Sequence, residues 1–217
     1  YIMTIFNKYE HIIWDWNGTL LNDGWLFVDI MNSILVKEKM QCINIDKYRN
    51  IFTFPVEKYY MKLGFDLKKK SFKEHGLKFI KEYEKRRYEA KLYPKAIKLL
   101  QQLNLMGINH SILSAQHQKL LNDLINYYKI KKYFISIIGL DNYYASSKIE
   151  IGKKWINKLK IKPNKVLMIG DTVHDYEVAQ SMGTDCFLIS QGHHSLQRLN
   201  KTGAKIFNSL DELLIIN

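Results

Sequence analysis

Cysteine is nearly absent from this 217-residue chain: Cys42 and Cys186 are the only two. Their spacing matches no metal-ligand pattern, and both are expected to be reduced, cytosolic thiols. Proline is almost as scarce, with three residues in all, so each one punctuates an element rather than building a linker. No apolar run approaches the roughly 18 residues of a membrane span, which argues against contact with a membrane. Repeats and low-complexity stretches are missing. The amino terminus lacks the basic-then-apolar pattern of a secretion signal, so a cytoplasmic location is expected, with Met3 as the natural start.

Acids are also in short supply: 21 Asp and Glu stand against 33 Lys and Arg, a formal charge of +12. Clustered lysines would point to nucleic acid, because they neutralise phosphates. Here they are spread over many expected helices, so the charge reads as compositional bias and no nucleic acid is expected as a partner. A positive field also attracts a small anionic substrate. The length allows one sizeable core, or one core with a small inserted domain.

The apolar run ending at Trp14 reads as a buried strand that stops at Asp15 and breaks into a Gly18-Thr19 turn. After Leu21 the pattern becomes helical, with Asn22 or Asp23 as N-cap before a helix over 25–40. Pro55 opens a second helix that ends at Gly64. A third, over 72–91, is heavily charged and pairs Glu82 with Arg86 one turn apart. Residues 22–90 therefore read as an all-helical unit without strands. From Tyr93 helices and strands alternate. Pro94 opens a helix ended by Gly107, followed by a strand at 108–114, a helix through Leu120 and Leu124, and a strand at 134–138. A helix around Trp155 ends before Pro163. Then come a strand at 166–170, a helix at 174–182 and a strand at 186–189. This alternation predicts an α/β fold whose parallel sheet is covered by helices.

Four polar side chains stand at or after these strand ends or just ahead of a helix: Asp15, Ser114, Lys148 and Asp171. Parallel strands direct their carboxyl ends to one edge, where these groups can converge. Taken in order, Asp15-x-x-Gly18-Thr19-Leu20, the strand ending in Ser114, Lys148, and Gly170-Asp171-x-x-x-Asp175 resemble the haloacid dehalogenase-like superfamily. The helical insert resembles the cap of its phosphoglycolate phosphatase-like branch. The resemblance implies a Rossmann-like core over 1–21 and 91–217 with an inserted helical cap over 22–90. It also implies a Mg²⁺-dependent phosphatase of small phosphorylated metabolites. Asp15, Asp171 and Asp175 offer the hard oxygen ligands that Mg²⁺ prefers, and the family adds the backbone carbonyl of Asn17. Asp15 would attack phosphorus to form an aspartyl-phosphate. Ser114 and the amide of Ala115 would hold a phosphoryl oxygen, while Lys148 balances charge. Lys148 lacks the following proline common in relatives, which leaves Lys153 and Lys154 as alternatives. His174 is expected beside Asp175 as a capping or supporting group, and His193 and His194 are expected to be mostly solvated.

Asn17 stands where most phosphatases of this family carry an acid–base aspartate. An amide donates a hydrogen bond but cannot deliver and recover a proton, a contribution of about 10²–10⁴-fold in rate. Good leaving groups should therefore be favoured. A phosphonate hydrolase using a cap lysine, with Lys58 as candidate, and a weakly active protein that binds phospho-ligands or a partner are the alternatives. Arg49, Lys58 and Tyr59 lie near Pro55, placed either against substrate or on the surface. Asn17-Gly18 is also the pair most prone to deamidation, unless the folded turn holds the Gly18 nitrogen out of line.

Overall fold

The computed structural model describes residues 3–69, 71–141 and 148–214. A short helix α1 (Met3–Phe6) leads into β1 (His11–Trp14), and β2 (Leu21–Asn22) follows the Gly-Thr turn. Helices α2 (Gly24–Lys37), α3 (Ile45–Ile51), α4 (Val56–Leu63) and α5 (Phe72–Arg86) come next, then β3 (Lys91–Leu92). The remainder alternates: α6 (Ala96–Leu105), β4 (Asn109–His117), α7 (Gln118–Tyr127), β5 (Ser136–Leu140), α8 (Lys148–Leu159), β6 (Val166–Gly170), α9 (Val173–Met182), β7 (Asp185–Ile189), α10 (Leu196–Leu199) and β8 (Lys205–Phe207).

Among the described residues the main sheet has six strands in the order β5-β4-β1-β6-β7-β8, all pairs parallel. β1 lies between β4 and β6 and is buried along its whole length, which explains its unbroken apolar run. Alternate side chains reach opposite faces. Ile12 and Trp14 join the core beneath α6 and α7, whereas Ile13 joins the one beneath α8 and α9. The chain builds β4 and β5 on one side of β1 and then returns to β6 on the other. That reversal opens a crevice at the carboxyl edge, where α/β sheets bind ligands.

The segment between β1 and β4 departs from expectation at its joints. β2 and β3 pair antiparallel, Leu21 opposite Leu92 and Asn22 opposite Lys91, so a small ribbon clasps the two ends of the helical segment. α3 was absent from the sequence reading; its N-cap is Asn44, which accepts from Lys47 N at 2.8 Å. α5 opens on a Ser71–Glu74 capping box and gives way to a 3₁₀ turn at Arg87–Glu89, short of residue 91. Arg86 pairs with Asp29 and Glu89, while Glu82 pairs with Lys85. The expected Glu82–Arg86 bridge is therefore not formed, because Arg86 is drawn across to α2. β4 runs three residues past Ser114, with its pairing to β5 irregular between Leu113 and His117. Among the described residues, no helix is long and apolar enough to cross a membrane.

Candidate active site

Asp15 directly follows β1, and its N–H donates to Ile169 O on β6 at 2.8 Å. Asp171 directly follows β6. Asp175 sits in the first turn of α9, held by a capping box. Its Oδ2 accepts from Thr172 N at 2.9 Å and Thr172 Oγ1 at 2.6 Å, and its own N–H donates to Thr172 Oγ1. The three buried carboxylates each offer an oxygen within 4.8 Å of the others. Lys148, the first residue of α8, is 2 % exposed and donates to Asp15 Oδ1 at 2.5 Å and Asp175 Oδ1 at 2.6 Å. Lys153 and Lys154 are exposed, and Lys148 is the lysine that lies beside Asp15.

Thr19 ties the cluster together by donating to Asp171 Oδ1 at 2.7 Å, with Asp15 Oδ2 3.4 Å away. The backbone at Gly18 has φ +78°, and a Cβ there would lie 2.4 Å from Asp171 Oδ2. Only glycine lets the turn approach so closely.

Burial pushes the Asp15 carboxyl up, against the Lys148 charge and with help from Asp175 and Asp171. Burial likewise pushes Asp171 up to about 6, although the His193 ring and amide oppose it. Burial would raise Asp175 too, but the Lys148 ammonium overrides it and holds the group at about 2. For Lys148 itself, burial works against the charge and the two carboxylates prevail, raising it above the usual lysine range. Three carboxylates face one ammonium, so a cation fits the surplus negative charge, and all the donors are hard oxygens.

Ser114 is buried, and its hydroxyl accepts from Gln116 N at 3.1 Å. Ser114, Ala115 and Lys148 line the same cavity of about 200 Å³ as Asp15, Asn17 and Asp175. The Asn17 amide donates to Asp23 Oδ2 at 2.6 Å and to Tyr83 OH at 3.1 Å. Asp23 stands at the N-cap position of α2 but does not cap it. Its Oδ1 accepts from Gly18 N at 3.0 Å and lies 3.2 Å from His193 Nε2.

The expected solvation of His193 and His194 is wrong: both are buried. His193 N donates to Asp171 Oδ2 at 2.6 Å, and its Nδ1 lies 2.7 Å from Tyr48 OH. Burial would lower the His193 ring, but the Asp23 carboxylate raises it. His194 Nδ1 accepts from Val173 N at 3.0 Å, and burial lowers this ring to about 3. A loop after a strand looked exposed because nothing local reveals that the helical segment covers it. His174 lines the cavity and bonds Glu177 rather than capping α9.

Arg49 grips this loop, donating to Gly192 O at 2.9 Å and Gln191 O at 2.6 Å. Lys58 is exposed, whereas its neighbour Tyr59 is buried and lines the cavity. Among the described residues the cavity holds no lysine from the helical segment, which removes the basis for a Schiff-base lysine at Lys58. Thr19, Thr172, Tyr48 and Tyr83 were missed as site residues. Thr172 was findable, since Thr-x-x-Asp is a capping-box pattern, but the two tyrosines had no local signal.

A phosphoglycolate phosphatase from Vibrio parahaemolyticus is 24% identical over 125 residues, 57% of this chain and 55% of that protein. A tyrosine-protein kinase PtkA from Mycobacterium tuberculosis is 22% identical over 119 residues, 53% of this chain and 41% of that one. The chain spans about half the length of the curated relatives it matches. A haloacid dehalogenase-like family protein from Streptococcus pneumoniae superposes with a TM-score of 0.81 at 20% identity, covering 95% of this chain and 97% of that one. The Mycobacterium tuberculosis kinase structure superposes at 0.79 and 20% identity, covering 94% and 96%. These likenesses establish the fold. A family model described as haloacid dehalogenase-like hydrolase matches residues 12–189, most of the length and every acid of the cluster, and the chain belongs to that family.

Proposed function

We propose that this protein is a Mg²⁺-dependent phosphatase of small phosphorylated compounds, with residues 22–90 acting as a cap over a core of 1–21 and 91–217. The observation that carries this reading is Asp15, held at the end of the central strand between Lys148 and two further buried carboxylates. Asp15, Asp171, Asp175 and the backbone carbonyl of Asn17 would hold the ion. When bound, Mg²⁺ supplies the positive charge that lets an anionic nucleophile meet an anionic phosphoryl group. An Asp15 carboxylate oxygen attacks phosphorus, and the bond to the leaving oxygen breaks with its electron pair. Ser114 Oγ and the Ala115 amide hold phosphoryl oxygens. Water then attacks the phosphorus of the aspartyl-phosphate, which releases phosphate and restores the carboxylate. The Asn17 amide has its donors committed to Asp23 and Tyr83 and offers no proton, so leaving groups of low basicity are favoured. The relatives named phosphoglycolate phosphatase support phosphate-ester hydrolysis over a phosphonate hydrolase or a binding protein. A panel of phosphate esters, run with and without Mg²⁺ on wild type and Asp15→Asn, tests this. Metal-dependent turnover lost in the variant is expected; turnover retained in Asp15→Asn overturns the mechanism.

A further inference from the structure

The cavity beside Asp15 continues away from the carboxylates into the helical segment, where its walls change character. Phe27, Tyr48, Phe52, Phe54, Tyr59 and Phe79 line it. Among the described residues, Lys148 is the only lysine or arginine that does so, and its ammonium is engaged by two carboxylates; His174 and His193 line it too, the first bonded to Glu177 and the second held between Asp23 and Tyr48. These rings pack against one another as a core would, with Phe27–Phe79 centroids 5.0 Å apart and Tyr48–Phe52 also 5.0 Å apart. A core, however, closes to crystal-like density and leaves few voids larger than a water. Here about 200 Å³ stays open, shared between the space beside Asp15, Ser114 and Lys148 and the aromatic wall. Because an apolar cavity of roughly 150 Å³ accommodates benzene, the whole space suits a phosphoryl group carrying no more than one ring.

We infer that the substrate is a phosphomonoester whose leaving group is a single uncharged aromatic ring. This rests on the phosphatase reading and specifies its substrate class. Phosphoglycolate, named for some relatives, would bring a carboxylate into a wall that has no free lysine or arginine among the described residues. An aromatic leaving group also suits Asn17. The phosphorus–oxygen bond breaks, the aryloxide departs with the electron pair, and its proton comes from water without an acid at position 17. The balance is one water consumed, with one phenol and one phosphate released.

Leaving-group acidity alone would make aryl esters fast, so the test reads binding. Benzylphosphonate, propylphosphonate and 3-phosphonopropionate share the phosphonate and differ in an aromatic, an aliphatic and a carboxylated tail. Calorimetry with Mg²⁺ should show benzylphosphonate binding at least about tenfold tighter than 3-phosphonopropionate and several-fold tighter than propylphosphonate. Phe54→Leu and Phe79→Leu, each checked for folding by circular dichroism, should weaken benzylphosphonate by a larger factor than propylphosphonate. Equal or tighter binding of 3-phosphonopropionate overturns this inference and leaves the phosphatase reading standing. Failure to bind any phosphonate, together with failure to hydrolyse any phosphate ester, overturns both.

Discussion

Asp23 connects the turn after Asp15 to the helical segment, and it changes what a substitution at Asn17 can do. The Asn17 amide donates to Asp23 at 2.6 Å, so Asn17→Asp would press one carboxylate against another in a buried place. We expect that variant to lose about 1–3 kcal/mol of stability, read from the urea midpoint. A second change, Asp23→Asn, should recover most of it. The double variant, rather than the single one, should then raise turnover of alkyl phosphates relative to aryl phosphates. The same geometry bears on deamidation. Gly18 N donates to Asp23 Oδ1 at 3.0 Å and to Leu21 O at 2.8 Å, which keeps it from attacking the Asn17 side chain. Peptide mass spectrometry should find Asn17 intact in aged folded protein and deamidated in protein aged in urea; equal deamidation in both states refutes the protection. At Asp15, replacement by Asn should remove at least about 10³-fold of turnover while the thermal transition persists.

The α9 N-terminus shows how one local pattern serves two ends. Thr172 caps the helix and holds Asp175 Oδ2 at 2.6 Å. Thr172→Ala should cost about 1 kcal/mol of stability, as lost N-caps do, and should also raise the Mg²⁺ concentration needed for half-maximal activity. Thr172→Ser keeps the hydroxyl and should restore both; a Ser variant as impaired as Ala would show that the methyl group matters instead. α3 does comparable work between elements, since Arg49 holds the 191–192 carbonyls whose loop presents His193 N to Asp171.

For the whole molecule, burial sets the response to acid. His11 is lowered to about 3 by burial and His110 to about 4 by burial, each packed against β-strand neighbours away from the carboxylates. His11 Nε2 lies 2.8 Å from Ser111 Oγ, and Trp14 Nε1 donates to His110 Nδ1 at 3.1 Å. Both rings stay neutral in the folded chain and gain protons on unfolding once pH falls below about 6.5. The unfolded state then binds more protons, so stability falls as pH drops from about 6.5 towards 4, by up to about 1.4 kcal/mol per pH unit for each ring. Urea midpoints measured across that window should flatten in His11→Asn and again in His110→Asn. An unchanged slope in both variants would show that other groups govern acid unfolding.

The parallel sheet and the strand-end positions of Asp15 and Asp171 were legible from a local rule: an unbroken apolar run for a strand buried on both faces, and a polar residue where that run stops. The family, Lys148 and Asp175 were legible through the resemblance of the motifs in their order. Ser114 was placed at the end of its strand, but β4 runs three residues past it, because the irregular pairing between Leu113 and His117 has no local signature. What tertiary structure alone decided is everything that needs two distant segments to meet. His193 looked like a solvated loop residue until α2 and α3 were laid over it, and Asp23 looked like a helix cap until its carboxylate turned to Asn17, Gly18 and His193. Tyr48, Tyr59 and Phe79 lie on three different helices and form one wall only because those helices pack. Hydrophobic period and capping chemistry are set by residues within a few positions of one another. Burial, pairing of charges and the shape of a cavity are set by which surfaces the folded chain brings together.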